Sequence, residues 1–401
     1  MKVSGLDVHK DTVFCAIFDG RKYREVQEYL TFTKHIQTMG NTLLQEGVKK
    51  IAIESTGIYW IPVWNILEAM GFDLMLVNPY LIKQMPGRKS DVKDAQWIAK
   101  LLHKRLLRDS LIPDQTIREL RTYSRRYVRM QTMITRSTQE MERILEVCNI
   151  RITSLISRTN SQSVLKVIEK IIAGEDTVEE LACCIHQRIL NAKGEQVRLS
   201  LDGYIAEHHR FSLSLAYDQF RLFTEQLSML EQKMAQVCEQ HYGQQMGLLM
   251  SIPGVGKQSA MQIIAESGAD MKAFENSGKL TGWTGLRPRN DESAGKYKST
   301  AVTKGNKYLR RIMVQCAWAA SRTKGSFYKN KFEQLCVRKS RKKALIAIAR
   351  KLLTVVWHVL KEKQPYDPSF LPVYDPRKME MRVNYHRREI MKLAQLGYGI
   401  S

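Results

Sequence analysis

Asp91 and Asp94 stand three residues apart where the stretch Lys89 to Leu102, KSDVKDAQWIAKLL, becomes apolar-periodic. On a helix that spacing puts both carboxylates on one face. Both lie near the positive end of the helix dipole, and two such charges on one turn repel unless a cation sits between them. The chemistry this suits is divalent metal binding. The plainer alternative is a helix capped by Ser90 or Asp91, with Asp94 as solvated first-turn charge. Two more acids, Asp7 and Glu54, fall in the strand-like runs KVSGLDVH and KKIAIES.

The elements that must position these acids can be read in order. Residues 2 to 30 alternate in three β-type runs, broken at His9-Lys10-Asp11 and at Asp19-Gly20-Arg21, which fits successive antiparallel strands. A helical pattern runs to about Leu44, and KKIAIES reads as a buried strand. Thr56-Gly57 turns the chain into a helix from Tyr59 to Met70, and DLMLV is a strand stopped by Asn78-Pro79. The order is three strands, helix, strand, helix, strand, helix. Such an α/β sheet places Asp7 within the first strand and Glu54 at the tip of the fourth. Taken singly, Asp7 could be a strand-end turn residue and Glu54 an edge charge.

With 401 residues and 44% apolar content, the chain is long enough for two or three domains. No apolar run approaches a membrane span, and neither a secretory signal nor a transit peptide is apparent, so a cytoplasmic location is expected. Seven cysteines without paired spacing read as reduced, mostly buried thiols, and a structural zinc site is not expected. The formal charge of +23 and pI near 9.7 argue for a polyanionic partner.

Downstream, Thr116 to about Arg151 reads as one long helix. Tyr127, Met130, Ile134, Ser137, Met141, Ile144 and Cys148 form a coiled-coil seam. Arg129, Arg136 and Arg143 recur every seven residues on another face, after Arg118, Arg121, Arg125 and Arg126; such a face can track phosphates or simply be solvated. Residues 152 to 208 are polar, helix-prone and uninformative. A second seam, Phe220, Phe223, Leu227, Leu230, Met234 and Val237, could pair with the first within the chain or between subunits. Ile252-Pro253-Gly254-Val255-Gly256, followed by Lys257, has the pattern of a helix-hairpin-helix, whose turn offers N–H groups to a phosphate; an ordinary Gly-rich turn is the alternative. Arg287, Arg289, Lys296, Lys298, Lys304, Lys307, Arg310 and Arg311, interleaved with Trp283, Tyr297 and Tyr308, suit phosphate contact and base stacking. Arg338 to Lys351 reads as a basic amphipathic helix, and the stretch from Gln364 as a loosely ordered basic tail.

GLDVHK, IAIESTGIYW and NPYLIKQMPGRKSDVKDAQWIAKLL together resemble the RuvC-like nuclease domain of the DEDD-type insertion-sequence transposases, the IS one-ten family. That resemblance covers residues 1 to about 108, and it implies an α/β, RuvC-like domain of RNase H fold with a catalytic, metal-holding set of Asp7, Glu54, Asp91 and Asp94. The physical reading agrees, since four carboxylates from two strands and a helix repel unless hard cations neutralise them. Two-metal nucleases are built this way. The stretch KLTGWTGLRPRNDESAGKYKSTAVTKGNKYLRRIMVQCA resembles the family's second block, with a GLxP turn, a loop serine and a KGNxxLR motif. The resemblance puts the family's nucleophile at Ser293; the usual Ser-Gly reads Ser293-Ala294-Gly295 here, which makes Ser299 the fallback.

The family likeness further implies Mg²⁺, with Mn²⁺ able to substitute, and donor and target DNA as partners. It implies a structured noncoding bridge RNA from the element itself and a homodimer that assembles to a tetramer, with no membrane role. The expected domains are 1–108 nuclease, 109–242 coiled coil with a helical insertion, 243–362 mostly helical transposase domain and 363–401 tail. The expected function is RNA-guided strand exchange through a covalent serine-DNA intermediate. The competing enzymatic reading is a metal-dependent Holliday-junction-resolving nuclease without serine chemistry. A non-catalytic nucleic-acid binder and an actin-like sugar kinase are weaker alternatives.

Overall fold

The structure is a computed structural model and describes residues 1–54, 57–78, 90–289, 291–293, 296–299, 301–368 and 376–395. The family-like stretch from Pro79 to Lys89 and the expected turn residue Thr56 lie outside them. The chain forms two compact units, Met1–Pro113 and Asp114–Ser401.

In the first unit the elements run β1 (Val3–Val8), β2 (Thr12–Phe18), β3 (Gln27–Leu30), α1 (Thr33–Gln45), β4 (Lys50–Glu54), α2 (Trp60–Ala69), β5 (Asp73–Val77) and α3 (Asp91–His103). The sheet order is β3-β2-β1-β4-β5. The β1–β2 and β2–β3 pairs are antiparallel, and the β1–β4 and β4–β5 pairs are parallel. β1 is central and all six of its residues are buried. Alternation along the strand sorts them by face. Leu6 and Val8 join Ile51, Ile53, Ile36, Met39 and Leu67 in the core beneath α1 and α2. Val3 joins Ala16, Ala52, Ala95, Ile98 and Ala99 in the core beneath α3. The same alternation assigns Gly5 and Asp7 to the α3 face, and Glu54 with Ala52.

Gly5 sets how closely α3 lies on the sheet. A Cβ there would stand 2.3 Å from the Ala99 backbone nitrogen and 2.5 Å from the Ala95 carbonyl oxygen. Ala16, Ala52, Ala95 and Ala99 keep the rest of that interface thin. The helix backbone therefore rests directly on β1.

The second unit opens with α4 (Gln115–Val147), followed by α5 (Gln162–Ala173), α6 (Val178–Ala182), α7 (Gln187–Leu201) and α8 (Glu207–Met250). Tyr127 donates a hydrogen bond to Glu231 at 2.9 Å, and at the far end the Tyr204 N–H donates to the Cys148 carbonyl at 2.9 Å. These pairings run in opposite directions along α4 and α8, so the two helices pack antiparallel within one chain. The first seam is buried at Tyr127, Met130, Ser137, Met141, Ile144 and Cys148, and the second at Phe220, Met234 and Val237. The insertion between them packs Val164, Val167, Ile168, Ile171, Leu181 and Val197 into one core with Met141, Ile144, Leu213 and Phe220 of the two long helices.

The chain continues through α9 (Lys257–Ser267), α10 (Ser277–Thr284), the hairpin β6 (Asp291–Ser293) and β7 (Lys296–Ser299), α11 (Lys307–Ala320), α12 (Phe327–Cys336) and α13 (Arg341–Glu362). Pro376–Gln395 forms a further helix, α14, where the sequence suggested loosely ordered chain. Its Lys, Arg, Met, Leu and Gln content favours helix even without an apolar core to rest on.

A buried carboxylate joins three of these elements. Glu266 on α9 is fully buried and accepts two hydrogen bonds from Arg125 on α4, at 2.9 and 3.0 Å. Arg121, one turn earlier, donates to the Ala265 and Glu266 carbonyls, and the Asn306 amide donates to the Glu266 carboxylate at 2.7 Å. Asn306 also caps α11, accepting from the Tyr308 and Leu309 N–H groups. Removing the carboxylate leaves the half-buried Asn306 amide without its acceptor and takes the counter-charge from the mostly buried Arg121, a loss that typically costs about 1–3 kcal/mol. Glu266→Ala is therefore expected to lower unfolding stability by about that much in chemical denaturation; a loss below about 1 kcal/mol would contradict this role.

Candidate active site

Three elements bring the acids together. Asp7 is the fifth residue of central β1 and is 5% exposed. Parallel pairing of β1 with β4 sets Leu6 opposite Ile53, which brings Glu54, the last residue of β4, alongside Asp7. The first turn of α3 supplies Asp91 and Asp94, with Ser90 as the N-cap accepting the Lys93 N–H at 3.4 Å. Burial, with repulsion from Glu54, Asp91 and Asp94 added and His9 partly offsetting it, raises the Asp7 carboxyl from 3.8 to about 6. The other three acids thus each act on Asp7.

His9 belongs to this cluster as well. Its Nε2 lies 3.3 Å from Asp7 Oδ2 and 3.6 Å from Asp91 Oδ1. One donor atom each from Asp7, His9 and Asp91 fall within 4.8 Å of one another. In the sequence His9 reads only as a strand breaker. The available signal was its position two residues after Asp7, which on a strand is the same face.

No lysine or arginine forms an ion pair with Asp7 among the described residues; His9 is its partner. A buried carboxylate with three other acids acting on it fits a site for hard divalent cations.

Ser293 lies in the second unit. It ends β6, paired in register with Lys296 at the tip of the hairpin, while Ser299 pairs with Asp291 at the other end of the two strands. The hairpin continues below this ladder. Arg289 N–H donates to the Ala301 carbonyl at 2.9 Å and Thr303 N–H to the Arg287 carbonyl at 3.0 Å. Gly285, at φ +77°, and Gly305 meet at its base, where a Cβ on Gly305 would stand 2.5 Å from the Gly285 nitrogen. Asn306 follows directly, so the Glu266 network anchors the mount of Ser293.

The candidate nucleic-acid contacts divide. Arg129 and Arg136 are exposed on α4, in grooves shared with Arg126, Lys307 and Arg311. Arg287 and Lys304 are exposed beside the hairpin base. Arg310 is half-buried and donates to the Thr303 carbonyl at 3.4 Å, which gives it a share in holding that base. Lys257 pairs with Glu239 at 3.0 Å. Gly254, at φ +84°, is pressed against α11, where a Cβ would stand 2.5 Å from the Cys316 carbonyl oxygen; Gly256 is exposed as the N-cap of α9. Arg121 and Arg125 are engaged by Glu266, and Arg125 stays exposed in the groove it shares with Arg126 and Arg129. Tyr308 lies under the Arg125 guanidinium at 4.7 Å, and Trp283 packs on Phe274 at 5.3 Å, so neither is the open stacking platform the sequence suggested.

Comparison with known proteins bears on both units. The profile of DEDD-type IS110 transposases matches residues 4–150, and that of the transposase IS116/IS110/IS902 family matches residues 246–332. The transposase for insertion sequence element IS1111A of Coxiella burnetii is 22% identical over 381 residues, 91% of each chain. The pilin gene-inverting protein of Moraxella bovis is 26% identical over 155 residues, 37% of this chain and 48% of that one. A structure of Thermus thermophilus RuvC aligns with 27% of this chain and all of its own, at 12% identity and a TM-score of 0.22. The chain is an enzyme of the transposase and site-specific recombinase class. It belongs to the IS110 family of DEDD-type transposases. No helix among the described residues is long and apolar enough to cross a membrane.

The raised Asp7 carboxyl has a consequence for stability. An acid that holds its proton more tightly in the folded state contributes its stability fully below its unfolded value, near 3.8, and that contribution is lost as pH rises through about 6. Without divalent ions, Asp7→Asn is expected to be more stable than wild type at neutral pH, by at most about 3 kcal/mol, and to lack this part of the acid-side pH dependence. Thermal melts in chelator across pH check this, and an asparagine variant less stable than wild type at neutral pH would contradict it.

Proposed function

We propose that this chain is an RNA-guided DNA recombinase of an insertion sequence, which uses metal-bound acids and a serine nucleophile, Ser293, to cut and exchange DNA strands. The observation that carries the reading is the buried Asp7, whose charging Glu54, Asp91 and Asp94 all oppose and which, among the described residues, has no ion pair with a lysine or arginine. A hard divalent cation would offset the charge that these carboxylates place on one another's surroundings.

Asp7, Glu54, Asp91 and Asp94 would hold the metal, Mg²⁺ with Mn²⁺ as a substitute. When bound, the ions would supply Lewis-acid polarisation of the phosphate and neutralise charge that develops on it. The RuvC-like assignment of the first unit is supported by its mixed five-stranded sheet, with the acids on the central strand, on the tip of its parallel neighbour and on the helix across it.

Ser293 Oγ would form a bond to the DNA phosphorus as the bond to the adjoining sugar oxygen breaks, the serine proton passing in net to the departing hydroxyl. The strand end then stays on the chain as a phosphodiester. Attack by a hydroxyl of a second strand reverses the step, so strands exchange without loss of nucleotides. The position of Ser293 at the tip of an anchored hairpin favours it over Ser299 as the nucleophile.

Sequence choice would lie in base pairing between the element's RNA and the donor and target DNA, and the basic α4 and α11 face with Arg287 and Lys304 would hold backbones. The working assembly would be a homodimer that pairs to a tetramer. Within the second unit, residues up to 242 would serve as a helical linker, 243–362 as the transposase domain and 363–401 as a basic tail.

Incubation with Mg²⁺, the element's RNA and both DNA partners, followed by SDS denaturation, is expected to trap DNA on the protein at Ser293. Ser293→Ala should abolish the adduct while leaving RNA binding intact. Cleaved DNA without an adduct, unaffected by Ser293→Ala, would instead establish a hydrolytic junction nuclease.

A further inference from the structure

We propose that His9 is itself a metal ligand of this site, contributing Nε2 beside the carboxylates of Asp7 and Asp91 and inclining the site toward first-row transition ions relative to Mg²⁺. This rests on the metal-holding reading above and adds a donor of different chemistry to it.

Three observations carry it. His9 follows β1 directly, two residues after Asp7, and so continues the α3 face of the strand. Its Nε2 is 3.3 Å from Asp7 Oδ2 and 3.6 Å from Asp91 Oδ1, yet this buried atom has no hydrogen-bond partner among the described residues. Neighbouring donors on one divalent ion, each about 2.1 Å from it, stand about 3 to 3.5 Å apart. The spacing around His9 is that of shared ligands, and the contacts lack the alignment of hydrogen bonds.

The ring is held in place from outside the cluster. Phe14, paired with Asp7 across the β1–β2 ladder, meets the imidazole nearly edge to face, with centroids 6.1 Å apart and planes at 84°. The His9 N–H donates to the Thr12 carbonyl at 2.9 Å and closes the turn between the strands. A ring so fixed loses little freedom on binding an ion. Mg²⁺ prefers oxygen donors and retains its waters, whereas imidazole nitrogen suits transition ions better. A nitrogen in the set thus favours Mn²⁺ over Mg²⁺ beyond what four carboxylates would.

The rival account is an imidazolium lying between Asp7 and Asp91 as a counter-charge. It makes the opposite prediction, because an arriving metal would have to displace that charge.

The test uses the full chain with Mn²⁺ alone as the probe. Pulsed electron paramagnetic resonance of bound Mn²⁺ in protein labelled with ¹⁵N-histidine reports directly whether a histidine nitrogen touches the ion, and needs no variant. The expected result is a histidine nitrogen coupling. In His9→Gln it should vanish, with Mn²⁺ affinity lower by on the order of 10-fold and Mg²⁺ affinity, measured by competition, falling by less. Mn²⁺ binding that depends on Asp7 but shows no histidine coupling, or is tightened in His9→Gln, would overturn the role of His9 while leaving the metal site. Wild-type binding that is absent, or is unchanged by Asp7→Asn, would overturn both.

Discussion

The cost of burying one carboxylate, with repulsion from three others added, is the constraint on which the first unit's site depends. Asp7 sits on the central strand, between β2 and β4 and beneath α3, and Glu54, Asp91 and Asp94 each raise the cost of charging it. A fold selected for stability alone would place an apolar residue there. The close seating of α3 makes the repulsion unavoidable: with Gly5 against Ala95 and Ala99, the helix start cannot draw back from the end of β1. The unit spends stability to hold negative charge in one place, the usual mark of a site made for a cation.

Glu266 shows the other solution to the same problem. It too is a buried carboxylate, but Arg125, Arg121 and Asn306 satisfy it from within the chain. The difference separates a structural acid from a candidate catalytic one without recourse to similarity. Glu266 also links the two kinds of site, because Asn306, which it holds, stands at the foot of the hairpin that carries Ser293. The stability of α4, α9 and α11 against one another and the placement of that serine therefore share one network.

Periodicity made the sheet legible before any coordinates: the three opening strands, KIAIE and DLMLV lie where alternation and apolar runs put them, and Asp7 and Glu54 follow from strand position. What sequence could not supply was tertiary. Gly5 reads as an ordinary strand glycine, because its reason is a helix ninety residues on. Arg121 and Arg125 have the same spacing and composition as Arg129 and Arg136, and only the position of Glu266 on α9 tells the two pairs apart. Tyr308 and Trp283 read as free aromatics until Arg125 and Phe274 are seen against them. The insertion read as featureless because its apolar residues are spread over three short helices, too brief for periodicity to stand out. His9 was legible in principle, since i and i+2 share a strand face, but its place in a polar turn sequence masked it.

The claim on which the account depends is that the carboxylates of the first unit hold divalent metal. Anomalous diffraction from crystals of the full chain soaked in Mn²⁺ tests it most directly. The account predicts anomalous peaks within coordination distance of Asp7, with Glu54, Asp91 and Asp94 completing the surroundings. Ordered Mn²⁺ elsewhere with none at Asp7, or an Asp7 carboxyl neutralised by a lysine or arginine, would contradict it.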